Sequence, residues 1–181
     1  MPVIHQPRRR DRAVTDEAWI KSMLRRQPTC VLALSAGDQP SIHVSLFAYD
    51  EAAGAIYLHT AREGRTRAGI EANPRVCLCV HEMGRLLPAR TALNMSVEYA
   101  SVIVFGRAIV VSDEDEARRG LQRLLDKYFT HLEPGRDYRP ITGDELTQTA
   151  VYRVDIEAWS GKRKQVEADF PGAFVFGSKP A

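Results

Sequence analysis

The 181-residue sequence has three cysteines, almost no net charge, and no apolar run near the roughly 20 residues needed to cross a bilayer. Three cysteines are too few for a disulfide framework, so a reducing cytoplasm is the expected location. A formal net charge of +2 gives no reason to expect a nucleic acid or membrane partner. The start of the chain lacks the apolar stretch of a secretory signal. The basic run at 8–12 has no DNA-reading helix, RNA-binding aromatic strand or zinc finger beside it.

The composition is that of an ordinary globular protein, with 44% hydrophobic and 27% charged residues. This length predicts one domain. We expect a basic N-terminal arm over residues 1–14, a folded domain over 15–162, and a C-terminal tail over 163–181. The tail contains Phe170, Phe174 and Phe176, so we expect it to dock on the domain or on a partner subunit.

Hydrophobic alternation with a period of two predicts six strands, over 30–36, 41–49, 55–60, 75–81, 97–111 and 151–159. Three helices are expected, one capped by Thr15, one over 65–73, and one from Asp113 to about His131. Residues 82–93 are expected to form a long loop. Strand 97–111 is apolar on both sides, which predicts that both are buried. Hairpin-like connections favour a mainly β, six-stranded antiparallel barrel with flanking helices.

A strand, a glycine and a helix start follow one another around Gly64, and three arginines crowd the start of that helix: Arg62, Arg65 and Arg67. The positive end of a helix dipole disfavours cations there by about 0.3–1 kcal/mol each. A bound phosphate would reverse this cost, because the free backbone N–H groups and the guanidinium groups would all interact with it. Three solvated surface arginines are the alternative, and the sequence pattern alone leaves both open.

His59 precedes this glycine loop and is expected to share a strand face with Tyr57. A lone strand histidine is more often structural, but its nearly neutral titration suits proton transfer beside an anion site. Cys77, Cys79 and His81 alternate on one strand face and are residue types that bind zinc. Same-face residues stand nearly 7 Å apart, and no second pair of ligands appears, so no metal is expected.

The order and spacing of several segments carry a resemblance to a known family. The segments are 8–12, 40–50, 57–60, 64–65, 73–77, 99–106 and 159–162. Together they resemble the pyridoxamine 5′-phosphate oxidase-like, FMN-binding split-barrel family, in the branch that contains the nitroimidazole-resistance proteins. The resemblance implies a homodimer with two flavin sites at the subunit interface, and FMN as the cofactor.

Residue by residue, the resemblance also implies a set of site positions. The expected cofactor-binding residues are His43, Val44, Ser45, Leu46, Phe47, His59, Thr60, Gly64, Arg65, Thr66, Ser101, Trp159 and Lys162. His59 is the expected catalytic residue, as a proton donor or substrate-orienting group. Many relatives have two basic residues at the phosphate position, and Thr66 departs from that pattern; Arg67 or Arg62 is expected to supply the missing charge.

The function implied by the resemblance is that of an FMN-dependent oxidoreductase that reduces a small aromatic or nitro-type acceptor. NADH and NADPH are the candidate electron donors. The basic, histidine-containing signature of the vitamin B6 oxidase is missing near Trp159–Lys162, so pyridoxamine phosphate is not the expected substrate. A flavin- or haem-binding carrier or sensor without turnover is the alternative.

Overall fold

A computed structural model describes residues 6–178. Its strands are β1 (Ala13–Val14), β2 (Cys30–Ala36), β3 (Gln39–Ser45), β4 (Ala48–Asp50), β5 (Ala55–Ala61), β6 (Arg75–Leu87), β7 (Ser96–Val110) and β8 (Thr149–Lys164). Its α-helices are α1 (Glu17–Arg26), α2 (Arg65–Ala72), α3 (Glu114–Tyr128) and α4 (Gly143–Gln148). None of these helices is long and apolar enough to cross a membrane.

The strands form one antiparallel sheet in the order β3-β2-β6-β7-β8-β5-β4, with β1 paired to β8. The two end strands of this order, β3 and β4, are consecutive in the chain and separated only by Leu46 and Phe47. The sheet therefore curls back on itself without closing, as a split barrel does. The predicted mainly β split barrel is confirmed, but it has eight strands where six were expected.

The predicted strand over 41–49 is wrong as a single element, because it breaks between Ser45 and Ala48. The hydroxyl of Tyr128, in α3, lies at the break. This hydroxyl accepts a hydrogen bond from the Phe47 N–H at 3.0 Å and lies 3.0 Å from the Phe47 carbonyl oxygen. The backbone of Phe47 is thus bonded to a side chain and not to a neighbouring strand. The other added strand, β1, is a two-residue pairing with β8.

Three further features of the secondary structure differ from the sequence-based expectation. Half of the expected loop over 82–93 is strand, because β6 continues to Leu87 and stays paired with β7 across an irregularity after Met83. The N-cap of α1 is Asp16, not Thr15, since the Asp16 carboxylate accepts from the Ala18 N–H at 2.9 Å. Helix α4 was not expected, although Thr142 gives it a capping box.

The core lies on the inner face of the curved sheet, where alternate residues of each strand are buried. Its fully buried members include Leu32, Leu78, Val102, Tyr152 and Val154. Helix α3 packs on the outer side of β5, where Gly120 allows a close approach. A Cβ at Gly120 would lie 2.7 Å from the Tyr57 ring, so a larger residue would push α3 away from the strand.

The segment after β8 is bonded to an ion pair between β6 and β7 and to the end of β6. Arg85 and Glu98 form two hydrogen bonds of 2.9 Å, and Arg85 also donates to the Ala168 carbonyl at 2.7 Å. The Glu98 carboxylate accepts from the Val166 N–H at 3.0 Å. Phe174 then pairs with β6 as an antiparallel bridge.

Candidate functional site

The N-terminus of α2 is open to an anion. Its N-cap, Gly64, has φ +145°, a conformation that favours glycine, and no side chain of the described residues caps the helix. The first turn holds no acidic residue. Arg65 is exposed and makes no side-chain hydrogen bond or ion pair within residues 6–178. Thr66 is only 9% exposed, and its hydroxyl has no partner within the same range. The first turn therefore offers free N–H groups, a hydroxyl and a guanidinium group.

The other two arginines of this motif are already bonded within the chain. Arg67 donates to the Glu71 carboxylate at 2.8 Å and to the Arg62 carbonyl at 3.1 Å. Arg62 donates to the Thr147 carbonyl at 2.9 Å. Both arginines thus brace the glycine loop, and Arg65 is the one whose charge has no partner in the described chain.

The predicted flavin strand, residues 43–47, has an unusual distribution of burial. Val44 is 62% exposed and Leu46 is 41% exposed, although both are apolar. His43 and Ser45 are half-buried. Phe47 is fully buried, with the Lys127 ammonium 3.5 Å from its ring centre. Phe47 therefore anchors the end of the strand, and the exposed apolar side of β3 is available to a ligand or another subunit.

His59 and Thr60 lie at the end of β5 and point to opposite sides of it. The Thr60 hydroxyl is 2.8 Å from the hydroxyl of Tyr152, inside the barrel. His59 lines a cavity of about 580 Å³ on the outer side, below α3. His59 remains partly exposed to solvent, and partial desolvation of its ring lowers its pKa below the ordinary value of 6.5. The imidazole is therefore mainly neutral at pH 7, with one N–H donor and one acceptor nitrogen.

The remaining predicted site residues lie elsewhere on the sheet. Ser101 of β7 pairs directly with Lys162 of β8, and both line a cavity of about 210 Å³. The Lys162 ammonium also lies 5.5 Å from the ring centre of Tyr99. Trp159 lines a separate cavity of about 540 Å³ beside Arg10. Within the described chain, neither of these cavities includes His59, and the cavity beside His59 includes no other predicted site residue, so these three cavities do not bring the predicted residues together.

The outer side of the sheet carries two apolar rows that run across five strands. One row follows the register Val44, Val31, Cys79, Ile103 and Ser160. The parallel row consists of Ile42, Ala33, Cys77, Phe105 and Ala158. We call these ten residues the apolar sheet face. Ile42 and Val44 are each 62% exposed and Ile103 is 37% exposed, so the single chain leaves much of this face open.

All three cysteines are free thiols, and burial raises the pKa of Cys77 and Cys79 above its ordinary value. Within residues 6–178, no group of three or more His, Cys, Asp or Glu side chains is arranged to hold a metal ion.

Sequence reasoning missed the residues that enclose the cavity beside His59. They come from α3, from the segment between α3 and β8, and from the first residue of β8, and they are Leu121, Leu124, Leu125, Tyr138, Arg139, Ile141, Glu145 and Thr149. The capping box of Thr142 and Glu145 was a readable signal for α4. No sequence pattern connects this segment to His59, about 80 positions earlier in the chain.

Comparisons with solved structures support the same architecture. The flavocytochrome Anf3 from Azotobacter vinelandii is 26% identical, with a TM-score of 0.76 over 97% of this chain and 80% of that chain. The FAD and haem binding protein from Mycobacterium smegmatis is 22% identical, with a TM-score of 0.75 over 87% and 76% of the two chains. A protein assigned to 5-nitroimidazole antibiotic resistance in Bacteroides thetaiotaomicron is 20% identical, with a TM-score of 0.69 over 83% and 86%.

No curated protein sequence matches the chain at a significant level. The family model described as pyridoxamine 5′-phosphate oxidase matches residues 16–163, a range that includes β2 to β7, all of β8 but its last residue, and every predicted site residue. The chain therefore belongs to the pyridoxamine 5′-phosphate oxidase family.

Proposed function

We propose that the protein is an FMN-dependent oxidoreductase that reduces a small aromatic or nitro-type acceptor. The observation that carries this proposal is the open N-terminus of α2. Arg65, unpaired within the described residues, and buried Thr66 stand there, a few residues after His59 in the chain. A phosphate at this position would satisfy the free N–H groups and the guanidinium group together.

The residues at this site fit FMN. Arg65, Thr66 and the backbone after Gly64 would hold the phosphate, and the exposed side of β3 would lie along the flavin ring. Bound FMN supplies hydride or electron transfer, while the protein supplies orientation and electrostatics. His59, neutral at pH 7, would donate a hydrogen bond that orients the acceptor; its lowered pKa makes it a weak proton source.

A homodimer would bring together predicted site residues that lie apart in the single chain. Ser101, Trp159 and Lys162 would reach the flavin from the second subunit. The apolar sheet face supports this arrangement, because nine of its ten residues are apolar and Ile42, Val44 and Ile103 are exposed on it. A two-fold axis through such a surface would cover it in both subunits.

Similar proteins support the cofactor class. Anf3 is described as a flavocytochrome, and a protein from Mesorhizobium loti, 22% identical with a TM-score of 0.60, is described as FAD-binding. Because that protein and others bind FAD, the open α2 terminus and its single phosphate-sized group of donors are the reasons to favour FMN here.

An absorption spectrum of the purified protein loaded with FMN, followed by anaerobic addition of NADH or NADPH, tests the proposal. Flavin bands that bleach with the donor and recover on addition of a nitroaromatic acceptor are expected. A Soret band, or bound flavin that no donor and acceptor pair cycles, would instead indicate a haem- or flavin-binding carrier.

A further inference from the structure

The cavity beside His59 has the size and lining of a site for an organic molecule. It measures about 580 Å³ and lies between the outer side of β5, α3 and the segment that leads into α4. Sites for small organic ligands typically measure roughly 300–1,000 Å³. Four aliphatic side chains dominate its walls: Leu121, Leu124, Leu125 and Ile141. Such walls favour a ligand with hydrocarbon rings over a strongly hydrated one.

Two hydrogen-bond donors that have no acceptor within the described chain line this apolar space. The Tyr138 hydroxyl accepts a hydrogen bond from the Gln122 amide at 2.8 Å, and nothing in residues 6–178 receives its own proton. The His59 side chain makes no hydrogen bond within the same range. His59 belongs to β5, and Tyr138 follows α3, so the two donors reach the cavity from different elements.

The positive and negative charges at the cavity neutralise each other. Arg139 and Glu145 both contribute to the lining and form an ion pair of 3.1 Å. Their side chains are 70% and 47% exposed, so the pair marks the rim and not the interior. A ligand that carries a phosphate would have to compete with Glu145 for Arg139. The cavity is therefore better suited to a neutral molecule.

We propose that this cavity binds a quinone, which is flat, neutral and mainly apolar and has carbonyl oxygens at two ends of its ring. One oxygen would accept from the His59 N–H and the other from the Tyr138 O–H. A nitro group has both oxygens on one atom, which matches two donors from separate elements less well. This inference deepens the proposed function and rests on it. A quinone becomes a hydroquinone by gaining a hydride and a proton; the hydride comes from the reduced flavin, and solvent at the rim supplies the proton.

Equilibrium dialysis of 2,3-dimethyl-1,4-naphthoquinone against the FMN-loaded protein tests the site. The methyl groups block the ring positions at which thiols such as Cys79 would add. The control ligand, 2,3-dimethylnaphthalene, has the same shape without carbonyl oxygens. Tyr138→Phe should weaken quinone binding roughly 2- to 10-fold and leave hydrocarbon binding unchanged, because it removes one hydrogen bond. The matched variant Tyr49→Phe, in β4, should change neither.

A second variant, Leu125→Trp, fills the cavity and should abolish binding of both ligands while FMN stays bound. The inference is overturned if the FMN-loaded protein does not bind the quinone, or if Tyr138→Phe lowers the affinity for both ligands equally. Failure of FMN itself to bind would contradict the proposed function instead. Dialysis of the apoprotein would then still decide whether the cavity holds a quinone.

Discussion

At the residue scale, Lys127 shows how a half-buried charge supports residues 43–47, the segment that we propose lies along the flavin. Its ammonium lies over the Phe47 ring and donates to the Gln27 carbonyl at 2.8 Å, at the end of α1. Burial lowers the pKa of Lys127 to about 8. Burial also raises the pKa of neighbouring Cys30 to about 12. Folding therefore lowers the pKa of Lys127 and raises the pKa of Cys30, relative to their values in the unfolded chain.

The free energy of unfolding should therefore rise between about pH 8 and pH 9. In that interval the folded state releases the Lys127 proton, while the unfolded chain keeps it, and this favours folding as the pH increases. Above about pH 9 the buried Cys30 thiol opposes the trend, because only the unfolded chain ionises there. Urea unfolding of the parent and of Lys127→Met at several pH values measures this. The rise should vanish in the variant, and a parent without the rise would refute the assignment.

His59 is the residue for which a pH profile distinguishes two roles. If the neutral imidazole orients the acceptor, turnover per bound FMN should stay constant from pH 7 to pH 8 and fall below the ordinary histidine pKa of 6.5. His59→Ala should keep FMN and lose most turnover. His59→Gln, which retains an N–H donor, should recover part of the turnover and remove the fall at low pH. Activity that increases on acidification would show a proton donor instead.

At the scale of elements, local patterns predicted most strands and helices, whereas distant contacts set the breaks. The alternation in β2, β5 and β8 was readable because one side of each packs on the core, and β7 was readable as a long run that is apolar on both sides. The division of β3 from β4 was not, since the hydroxyl that lies at the break belongs to Tyr128, about 80 positions away. The candidate site likewise has one part that local sequence predicts and one part that depends on distant contacts. The α2 terminus was readable from Gly64 and its arginines, but the cavity beside His59 was not.

The C-terminal segment should depend on one ion pair. The Arg85 guanidinium and the Val166 N–H hold the pKa of Glu98 at about 2, so this carboxylate stays charged well into acid. Its stabilising effect is fully present above the ordinary glutamate pKa and declines as the pH falls toward 2. Glu98→Gln should free the segment after Lys164, and limited proteolysis should then cleave it faster. Glu133→Gln, which alters an exposed pair with Arg136, should leave the cleavage rate unchanged.

At the scale of the whole molecule, the apolar sheet face should hold two copies together. Ile103 lies in the middle of one apolar row and is 37% exposed. Ile103→Asp should give a monomer in sedimentation velocity and lose FMN, because dimer formation would bury a carboxylate in an apolar surface. Ile109→Asp is the control, since Ile109 is equally exposed on the same strand but outside the rows. A parent protein that sediments as a monomer with FMN bound would exclude the dimer.

The central claim is that the N-terminus of α2 binds the FMN phosphate, and paired titrations with FMN and riboflavin test it most directly. Arg65→Ala should weaken FMN binding roughly 10- to 150-fold, the range expected for lost charge-assisted hydrogen bonds, and leave riboflavin binding unchanged. Arg67→Ala should show a smaller effect of the same kind. Arg119→Ala, which removes an arginine of α3 that has no partner within residues 6–178, should show none. An unchanged FMN affinity in Arg65→Ala, or an equal loss for both ligands, would contradict a phosphate site at this helix.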